Sequence, residues 1–100
     1  MKARLSRRAD RELADAVAYL LDENPAAARG FADALEIAIR SLERYPRIGR
    51  ETDLPGVYVF TLARFRYRIF YRIRGETLSI ESIFHTSRKP EVPGEDDAGS

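Results

Sequence analysis

The chain has 100 residues, 44% of them hydrophobic, and a formal net charge of +1 at pH 7. This length suits one small domain. The sequence has no cysteine and one histidine, which excludes a disulfide framework and a thiolate metal site, so we predict neither a metal nor a cofactor. No apolar run approaches the roughly 20 residues of a membrane span, and the N-terminus lacks the apolar region of a signal peptide. The sequence therefore predicts a cytoplasmic protein.

The charges are unevenly distributed along the chain. Residues 1–56 hold ten basic and ten acidic side chains, whereas residues 57–88 hold six arginines against two glutamates. Residues 89–100 hold one lysine against four acids, so the tail hides the cationic middle in the net charge. A cationic segment of this kind suits an acidic partner, either nucleic acid or an acidic protein segment.

The first residues predict a short strand followed by a helix. Lys2–Leu5 suits an edge strand with Ala3 and Leu5 facing inward, and Ser6 is a favoured N-cap. We predict an amphipathic helix over residues 7–22, because one apolar stripe recurs at helical spacing. The stripe consists of Leu13, Val17, Leu20 and Leu21.

A second helix is predicted over residues 25–44. Asn24 can cap its first turn and Pro25 fits the first helical position, whereas Tyr45-Pro46 ends it because a residue before proline avoids the α region. Its apolar residues at helical spacing are Ala28, Phe31, Leu35, Ile39 and Leu42. Gly30 costs about 1 kcal/mol relative to alanine inside a helix, so we expect a close contact there. The short connection between the helices predicts an αα-hairpin.

The second half of the chain predicts strands. Residues 47–56 are rich in turn-forming glycine and proline and predict a loop. Residues 57–62 are apolar at nearly every position, which is typical of a strand that is central in a sheet or covered on both faces. Residues 66–74 alternate with period two and predict a strand with one cationic side. The cationic side carries Arg66, Arg68, Phe70, Arg72 and Arg74, and the other carries Tyr67, Ile69, Tyr71 and Ile73.

A hairpin joins this strand to the next. Gly75-Glu76 supplies a two-residue turn with glycine first, as a type II′ turn prefers, and residues 77–84 run back. Pairing Arg74 with Thr77 makes one face of the hairpin apolar and sets the register of the remaining pairs. Those pairs are Ile73 with Leu78, Tyr71 with Ile80, Ile69 with Ser82, Arg68 with Ile83, Tyr67 with Phe84 and Arg66 with His85.

The predicted fold class is α+β, in the order β-α-α-β-β-β. A helical hairpin packs on one face of a small, mainly antiparallel sheet, in which a three-stranded meander is joined by the N-terminal edge strand. We predict a single domain over residues 1–90 and a disordered acidic tail over residues 91–100, because proline, glycine, acids and small residues dominate the tail.

Three segments follow the helical hairpin in a characteristic order. They are Leu42-Glu43-Arg44-Tyr45-Pro46-Arg47-Ile48-Gly49, Tyr67-Arg68-Ile69-Phe70-Tyr71-Arg72-Ile73 and Ile83-Phe84-His85-Thr86-Ser87-Arg88-Lys89-Pro90. With the hairpin, they resemble the ParE/RelE toxin superfamily of bacterial type II toxin–antitoxin systems over roughly residues 2–90. The resemblance implies a toxin bound by an antitoxin encoded alongside it. Such antitoxins, here expected to be ParD-like, resemble ribbon-helix-helix DNA binders with a tail that folds on binding.

The resemblance implies one of two activities. ParE-like members poison DNA gyrase by binding, whereas RelE-like members cut mRNA in the ribosomal A site. A third possibility is a member that has lost toxicity and serves only as an antitoxin partner or co-repressor.

The chemistry favours the ParE-like branch. Cleavage of RNA needs a group that accepts the 2′-hydroxyl proton, cations and a proton donor for the leaving oxygen. The paired lysines of the RelE-like motif align with Val59 and Thr61, and no tyrosine follows Tyr71 to match the C-terminal catalytic tyrosine. We therefore predict no catalytic residue and no enzyme activity. The alternative nuclease would use His85, Arg68 and Arg88.

These considerations give two sets of candidate site residues. A cationic target-binding surface is predicted to hold Arg64, Arg66, Arg68, Arg72, Arg74 and Arg88. The antitoxin is expected to cover the helical hairpin and the sheet, with contacts at Leu13, Val17, Phe31, Leu35, Arg66 and Arg68. The four apolar residues of the second set are expected first of all to be core.

Overall fold

The computed structural model describes residues 1–87, which contain two helices and one five-stranded sheet. The elements are β1 (Lys2–Leu5), α1 (Arg7–Glu23), α2 (Pro25–Arg44), β2 (Arg50–Glu51), β3 (Val57–Leu62), β4 (Tyr67–Arg74) and β5 (Thr77–His85). The strand order is β1-β5-β4-β3-β2, in which β1 runs parallel to β5 and the other neighbours are antiparallel. The predicted α+β class, the helical hairpin, the meander and the N-terminal edge strand are confirmed.

The strand β2 was not predicted, because residues 47–56 were expected to form only a loop. Two residues are too few to show a period of two, and what fixes them is pairing with β3, where Arg50 lies opposite Val59 and Glu51 opposite Tyr58. The next residues turn sharply, with Thr52 N–H donating to the carbonyl of Val57 at 2.9 Å.

Both helices begin where the capping residues predicted. Ser6 Oγ accepts a hydrogen bond from Ala9 N–H at 3.0 Å. Asn24 Oδ1 accepts from Ala26 N–H at 3.0 Å, and α2 then starts at Pro25. These caps satisfy backbone donors that the helices cannot satisfy themselves, so the break between α1 and α2 is a single residue.

The two helices pack side by side on one face of the sheet, α1 against β5 and α2 against β1 and β3. The main core between them and the sheet includes Phe31, Leu42, Ile69 and Tyr71, each fully buried. Leu21, predicted on the buried stripe of α1, is instead 52% exposed. The small residues Ala9 and Ala16 of α1 are buried against the core instead.

The β4–β5 hairpin follows the predicted register only as far as Tyr71. Gly75 has φ 60°, as the first position of a type II′ turn requires, and the pairs from Arg74–Thr77 to Tyr71–Ile80 are as expected. A bulge then leaves Glu81 without a partner on β4 and shifts every later pair by one residue. The observed pairs are Phe70 with Ser82, Ile69 with Ile83, Arg68 with Phe84 and Tyr67 with His85. The predicted pairs Ile69–Ser82, Arg68–Ile83, Tyr67–Phe84 and Arg66–His85 are therefore wrong.

The bulge is held by a contact between α1 and β5. The Glu12 carboxylate accepts hydrogen bonds from Ser82 Oγ and from Ile83 N–H, each at 2.9 Å to Oε1. Ser82 is completely buried, and a buried hydroxyl needs such a partner. The extra residue in β5 thus turns Ile83 toward the main core, where it packs with Ile69.

Some predictions fall beyond the described part of the chain. Arg88 and the predicted tail over residues 91–100 lie outside residues 1–87. Within residues 1–87, no helix is long and apolar enough to cross a membrane.

Candidate functional site

The sheet face opposite the helices, called the outer face below, carries a row of basic residues. Alternation along each strand decides which residues lie there, because successive side chains point to opposite faces. Ala3 and Leu5 pack against the main core, so Lys2 and Arg4 lie on the outer face. The same reasoning, with the pairing across the sheet, assigns six basic residues to it: Lys2, Arg4, Arg50, Arg68, Arg72 and Arg74.

Three of these six, Arg68, Arg72 and Arg74, were predicted from β4 alone. Lys2, Arg4 and Arg50 were missed. The signal for the first two was present in the sequence, since Lys2-Ala3-Arg4-Leu5 alternates with period two and was already predicted to be a strand. Arg50 could not be found this way, because β2 itself was not predicted.

Among residues 1–87, Arg72 is the cation of this face that lies next to a carboxylate. Its Nε lies 3.7 Å from Glu81 Oε1, and Ser79 Oγ donates to the other carboxylate oxygen at 2.6 Å. The buried Nε of Arg72 has no hydrogen-bond partner among the described residues, so its interaction with Glu81 is electrostatic only. Glu81 is the bulge residue, and its carboxylate lies next to Arg72 on the outer face. For Arg68, no carboxylate of residues 1–87 lies within ion-pair distance.

A small apolar cluster lies among the basic residues of the outer face. It consists of Val59, Phe70 and Phe84, whose side chains are 5–6% exposed. The rings of Phe70 and Phe84 meet edge to face, with centroids 5.1 Å apart, which is a favourable aromatic geometry. Val57 and Val59 are buried on the outer face of β3, and Tyr58 and Leu62 are buried on the helix side. The strand lies between β4 and β2 and is buried on both faces, but within residues 1–87 the helices cover only one of them.

Arg64 does not extend the row as predicted, whereas for Arg66 a place on the binding surface stays a prediction. Arg64 lies in the turn between β3 and β4, with its guanidinium carbon 4.9 Å from the centroid of Phe65. Phe65 faces the helices and packs over Gly30, where an added Cβ would meet its ring at 3.2 Å. Arg64 is thus on the helix side, and the expected close contact at Gly30 is confirmed. Arg66 precedes β4 in the same turn, with φ 58°, so the alternation of the strand does not include it.

His85 lies on the helix side of the sheet, not on the cationic face as predicted. It is opposite Tyr67, and the two rings meet edge to face with centroids 5.2 Å apart. Its Nδ1 lies 2.7 Å from Ser87 Oγ. It lines a crevice of about 290 Å³ beside α1, together with Asp15 and Tyr19. The bulge is the reason, since one extra residue in β5 reverses the faces of all residues after it. Arg68, whose neighbour on β5 is Phe84, faces the other way.

The apolar residues predicted to contact an antitoxin belong mainly to the core. Phe31 is fully buried and Leu35 is 4% exposed, so neither offers surface to a partner in this structure. Leu13 and Val17 are partly buried and pack against the same core. For these two, contact with an antitoxin stays a prediction. Among residues 1–87, no three His, Asp or Glu side chains are grouped closely enough to hold a metal ion.

Comparison with solved structures shows that this α+β arrangement is a known fold. A chain described as the chromosomal ParDE TA system from P. aeruginosa is similar at a TM-score of 0.74 and 22% identity, covering 85% of this chain and 95% of that one. The isolated E. coli RelE toxin is similar at a TM-score of 0.63 and 18% identity, covering 98% and 94%. At these identities the likeness establishes a shared fold. No curated protein matches the sequence significantly.

The sequence itself identifies the family. Residues 3–90 match the family described as ParE toxin of type II toxin-antitoxin system, parDE. The chain therefore belongs to the ParE toxin family, within the ParE/RelE superfamily, and it is a toxin of the type II class whose partner is an antitoxin.

Proposed function

We propose that the protein inhibits DNA gyrase by binding it through the outer face, and that a ParD-like antitoxin of the ribbon-helix-helix type neutralises it. The observation that carries the proposal is the separation of His85 from Arg68. A nuclease site needs a proton acceptor and a cation on the same scissile phosphate. The bulge puts these two side chains on opposite faces of the sheet.

The residues of the outer face suit a function by binding rather than by catalysis. This face carries six basic residues and a small apolar cluster, which lies next to Arg50, Arg68 and Arg72. Glu81 is the acid beside Arg72. Arginine binds carboxylate and phosphate groups through paired donors, and a surface with one sign of charge speeds encounter with an acidic partner. Gyrase as that partner follows from the resemblance to ParE-like toxins.

The test is supercoiling of relaxed plasmid by gyrase in the presence of the purified chain. The variant Arg68→Ala/Arg72→Ala is expected to lose at least about tenfold in inhibitory potency, since each tenfold corresponds to about 1.4 kcal/mol of binding. The matched control is Arg7→Ala/Arg11→Ala, which removes the same charge from exposed positions of α1 and is expected to inhibit like the unaltered chain. Equal potency of both double variants would remove the outer face from the mechanism.

A parallel assay of mRNA cleavage on programmed ribosomes addresses the alternative activity. Cut mRNA with unaffected gyrase would favour the RelE-like nuclease. If neither reaction responds and expression of the chain alone does not slow growth, the protein is a non-toxic member that acts through its antitoxin.

A further inference from the structure

The two edges of the sheet differ in how their backbone groups are satisfied. At the β1 edge, Ala3 N–H donates to Glu43 Oε2 at 2.8 Å, so a side chain from the end of α2 caps that strand. At the opposite edge, β2 pairs with only two residues of β3, Tyr58 and Val59. The remaining half of β3 has no neighbour on that side within residues 1–87.

The direction of the free backbone groups follows from the hydrogen bonds of Val57. Its carbonyl accepts from Thr52 N–H at 2.9 Å, and its N–H donates to the carbonyl of Leu54 at 3.1 Å. Both groups thus point away from β4. Backbone groups of alternate residues in a strand point to the same side, so the N–H and C=O of Thr61 also point outward, beyond the end of β2. An unpaired strand edge of this kind is a template for an added strand.

A shallow apolar groove of about 310 Å³ lies beside this edge, between α2 and β3. Its apolar lining includes Ala34, Ile37, Phe60, Leu62 and Phe65. Ile37 is 66% exposed, the most exposed large apolar side chain of the described chain. An exposed isoleucine next to an open strand edge offers both the apolar pocket and the backbone donors that strand addition uses.

We infer that an extended segment of the antitoxin adds to the sheet at Thr61, antiparallel to β3, as a strand that alternates apolar and acidic residues. The partner residue opposite Thr61 lies on the outer face, where Arg68 is the neighbour of Thr61 on β4. Arg50, which lies opposite Val59, is two positions further along the same edge. A carboxylate there meets two guanidinium groups. The residues before and after it point to the helix side and place apolar side chains against Ile37.

This inference rests on the antitoxin part of the proposed function and is independent of gyrase. The experiment uses the full chain and, as the probe, the protein encoded by the adjacent gene, purified together with it. The variant Thr61→Pro removes the N–H that points outward. Because the hydrogen bonds between β3 and β4 do not use this N–H, the edge position tolerates proline. Its control, Thr61→Val, keeps the N–H. Thermal unfolding of each variant checks that the chain is folded.

Thr61→Pro is expected to weaken antitoxin binding about fivefold to tenfold, because it loses one hydrogen bond of about 1 kcal/mol. The affinity of Thr61→Val is expected to stay within about twofold of that of the unaltered chain. A second variant, Ile37→Asp, is expected to weaken binding at least as much, whereas Leu21→Asp, at an exposed position of α1, is not. The variant Ile37→Asp, on α2 and away from the outer face, should still inhibit gyrase but resist neutralisation. If the unaltered chain does not inhibit gyrase, the gyrase proposal is contradicted, but the measurements of antitoxin binding stay valid.

Amide hydrogen exchange provides the readout that does not depend on any variant. In the complex, exchange of the Thr61 amide is expected to slow more than tenfold, whereas the amide of Thr77, at the hairpin end of β5, is expected to change little. Unchanged exchange at Thr61, or absence of a complex with the adjacent gene product, would overturn the inference. If exchange of the Thr61 amide slows in the isolated chain as its concentration rises, the inference is also overturned, because a second copy of the chain then occupies the edge.

Discussion

The hydroxyl of Tyr71 on β4 and the backbone N–H of Gly49 in the loop after α2 are joined by a hydrogen bond of 3.0 Å. The same hydroxyl donates to the carbonyl of Pro46 at 2.7 Å. A Cβ at Gly49 would lie 2.5 Å from the Tyr71 oxygen and 2.9 Å from the Val59 carbonyl. The loop between the helical hairpin and the sheet is thus fastened by one buried phenol. This contact gives a physical reason for Gly49 at the end of the Tyr-Pro-Arg-Ile-Gly segment and for Tyr71, the second tyrosine of the strand.

Replacing Tyr71 by phenylalanine is expected to lower the free energy of unfolding by about 1–3 kcal/mol, because it leaves Gly49 N–H and the Pro46 carbonyl without their partner. Urea denaturation followed by circular dichroism measures the change. The control is Tyr58→Phe, since the Tyr58 ring stacks on Tyr71 with centroids 5.3 Å apart but makes no side-chain hydrogen bond within residues 1–87. If both variants lose the same stability, the hydrogen bonds of Tyr71 are not the cause.

Replacing Gly49 by alanine is expected to cost more than the overpacking range of about 1–3 kcal/mol, because the new methyl group meets a buried ring on one side and backbone on the other. The comparison is Gly56→Ala. Gly56 has φ 77° and nothing within 4 Å of an added Cβ, so that variant has backbone strain alone, roughly 1–2 kcal/mol. Thermal unfolding of the two variants should rank Gly49→Ala as the less stable, and the reverse order would contradict the close contact.

Tyr71 also predicts a loss of stability in alkaline solution. Burial raises the pKa of its phenol above the ordinary value of 10.0, the hydrogen bond from Gly49 N–H opposes this, and Tyr58 adds to it. The unfolded phenol therefore loses its proton first, so the folded state binds more protons in this range. The contribution of Tyr71 to the free energy of unfolding is fully present below about pH 10. It falls as the pH rises toward the pKa of the folded state, by at most about 1.4 kcal/mol per pH unit. Unfolding midpoints measured across this range should fall less steeply for Tyr71→Phe than for the unaltered chain.

The sequence predicts the elements of this fold better than it predicts the faces of the last strand. Three residues act locally and could be identified without the structure: Ser6, Asn24 and Gly75. The first two cap helices by accepting hydrogen bonds from N–H groups within three residues, and Gly75 forms a turn through its own backbone conformation. The bulge at Glu81 is different. It depends on Glu12, about 70 residues away in the chain, and the run Ser-Ile-Phe-His has no alternation that would reveal which register is correct.

The same distinction holds for the candidate site. Arg68, Arg72 and Arg74 lie on one regular strand, and the period of two was sufficient to group them. Arg64 was grouped with them wrongly because it belongs to a turn, where side-chain direction follows from packing over Phe65 and Gly30 rather than from alternation. The position of His85 required the bulge.

Glu12 provides a test of what holds the bulge. Glu12→Ala is expected to lower the free energy of unfolding by about 1–3 kcal/mol, because it leaves the buried Ser82 hydroxyl and the Ile83 N–H unpaired. Glu12→Gln keeps an acceptor oxygen and should recover part of the loss. Asp10→Ala, at an exposed position of the same helix, is the control for removing a negative charge from its first turns. An equal effect of Glu12→Ala and Asp10→Ala on chemical denaturation would show that the bulge does not depend on this carboxylate.

The faces of Arg68 and His85 predict opposite outcomes for two single variants in a growth assay. His85→Gln is expected to remain as toxic as the unaltered chain, because its ring contacts Tyr67 and Ser87 on the helix side, away from the outer face. Arg68→Gln is expected to relieve toxicity, because it removes a cation from the proposed binding surface while keeping the side chain polar. Both proteins should unfold at similar temperatures, which separates toxicity from folding. If His85→Gln relieved growth inhibition and Arg68→Gln did not, the crevice beside α1 would be the working site and the outer face would not.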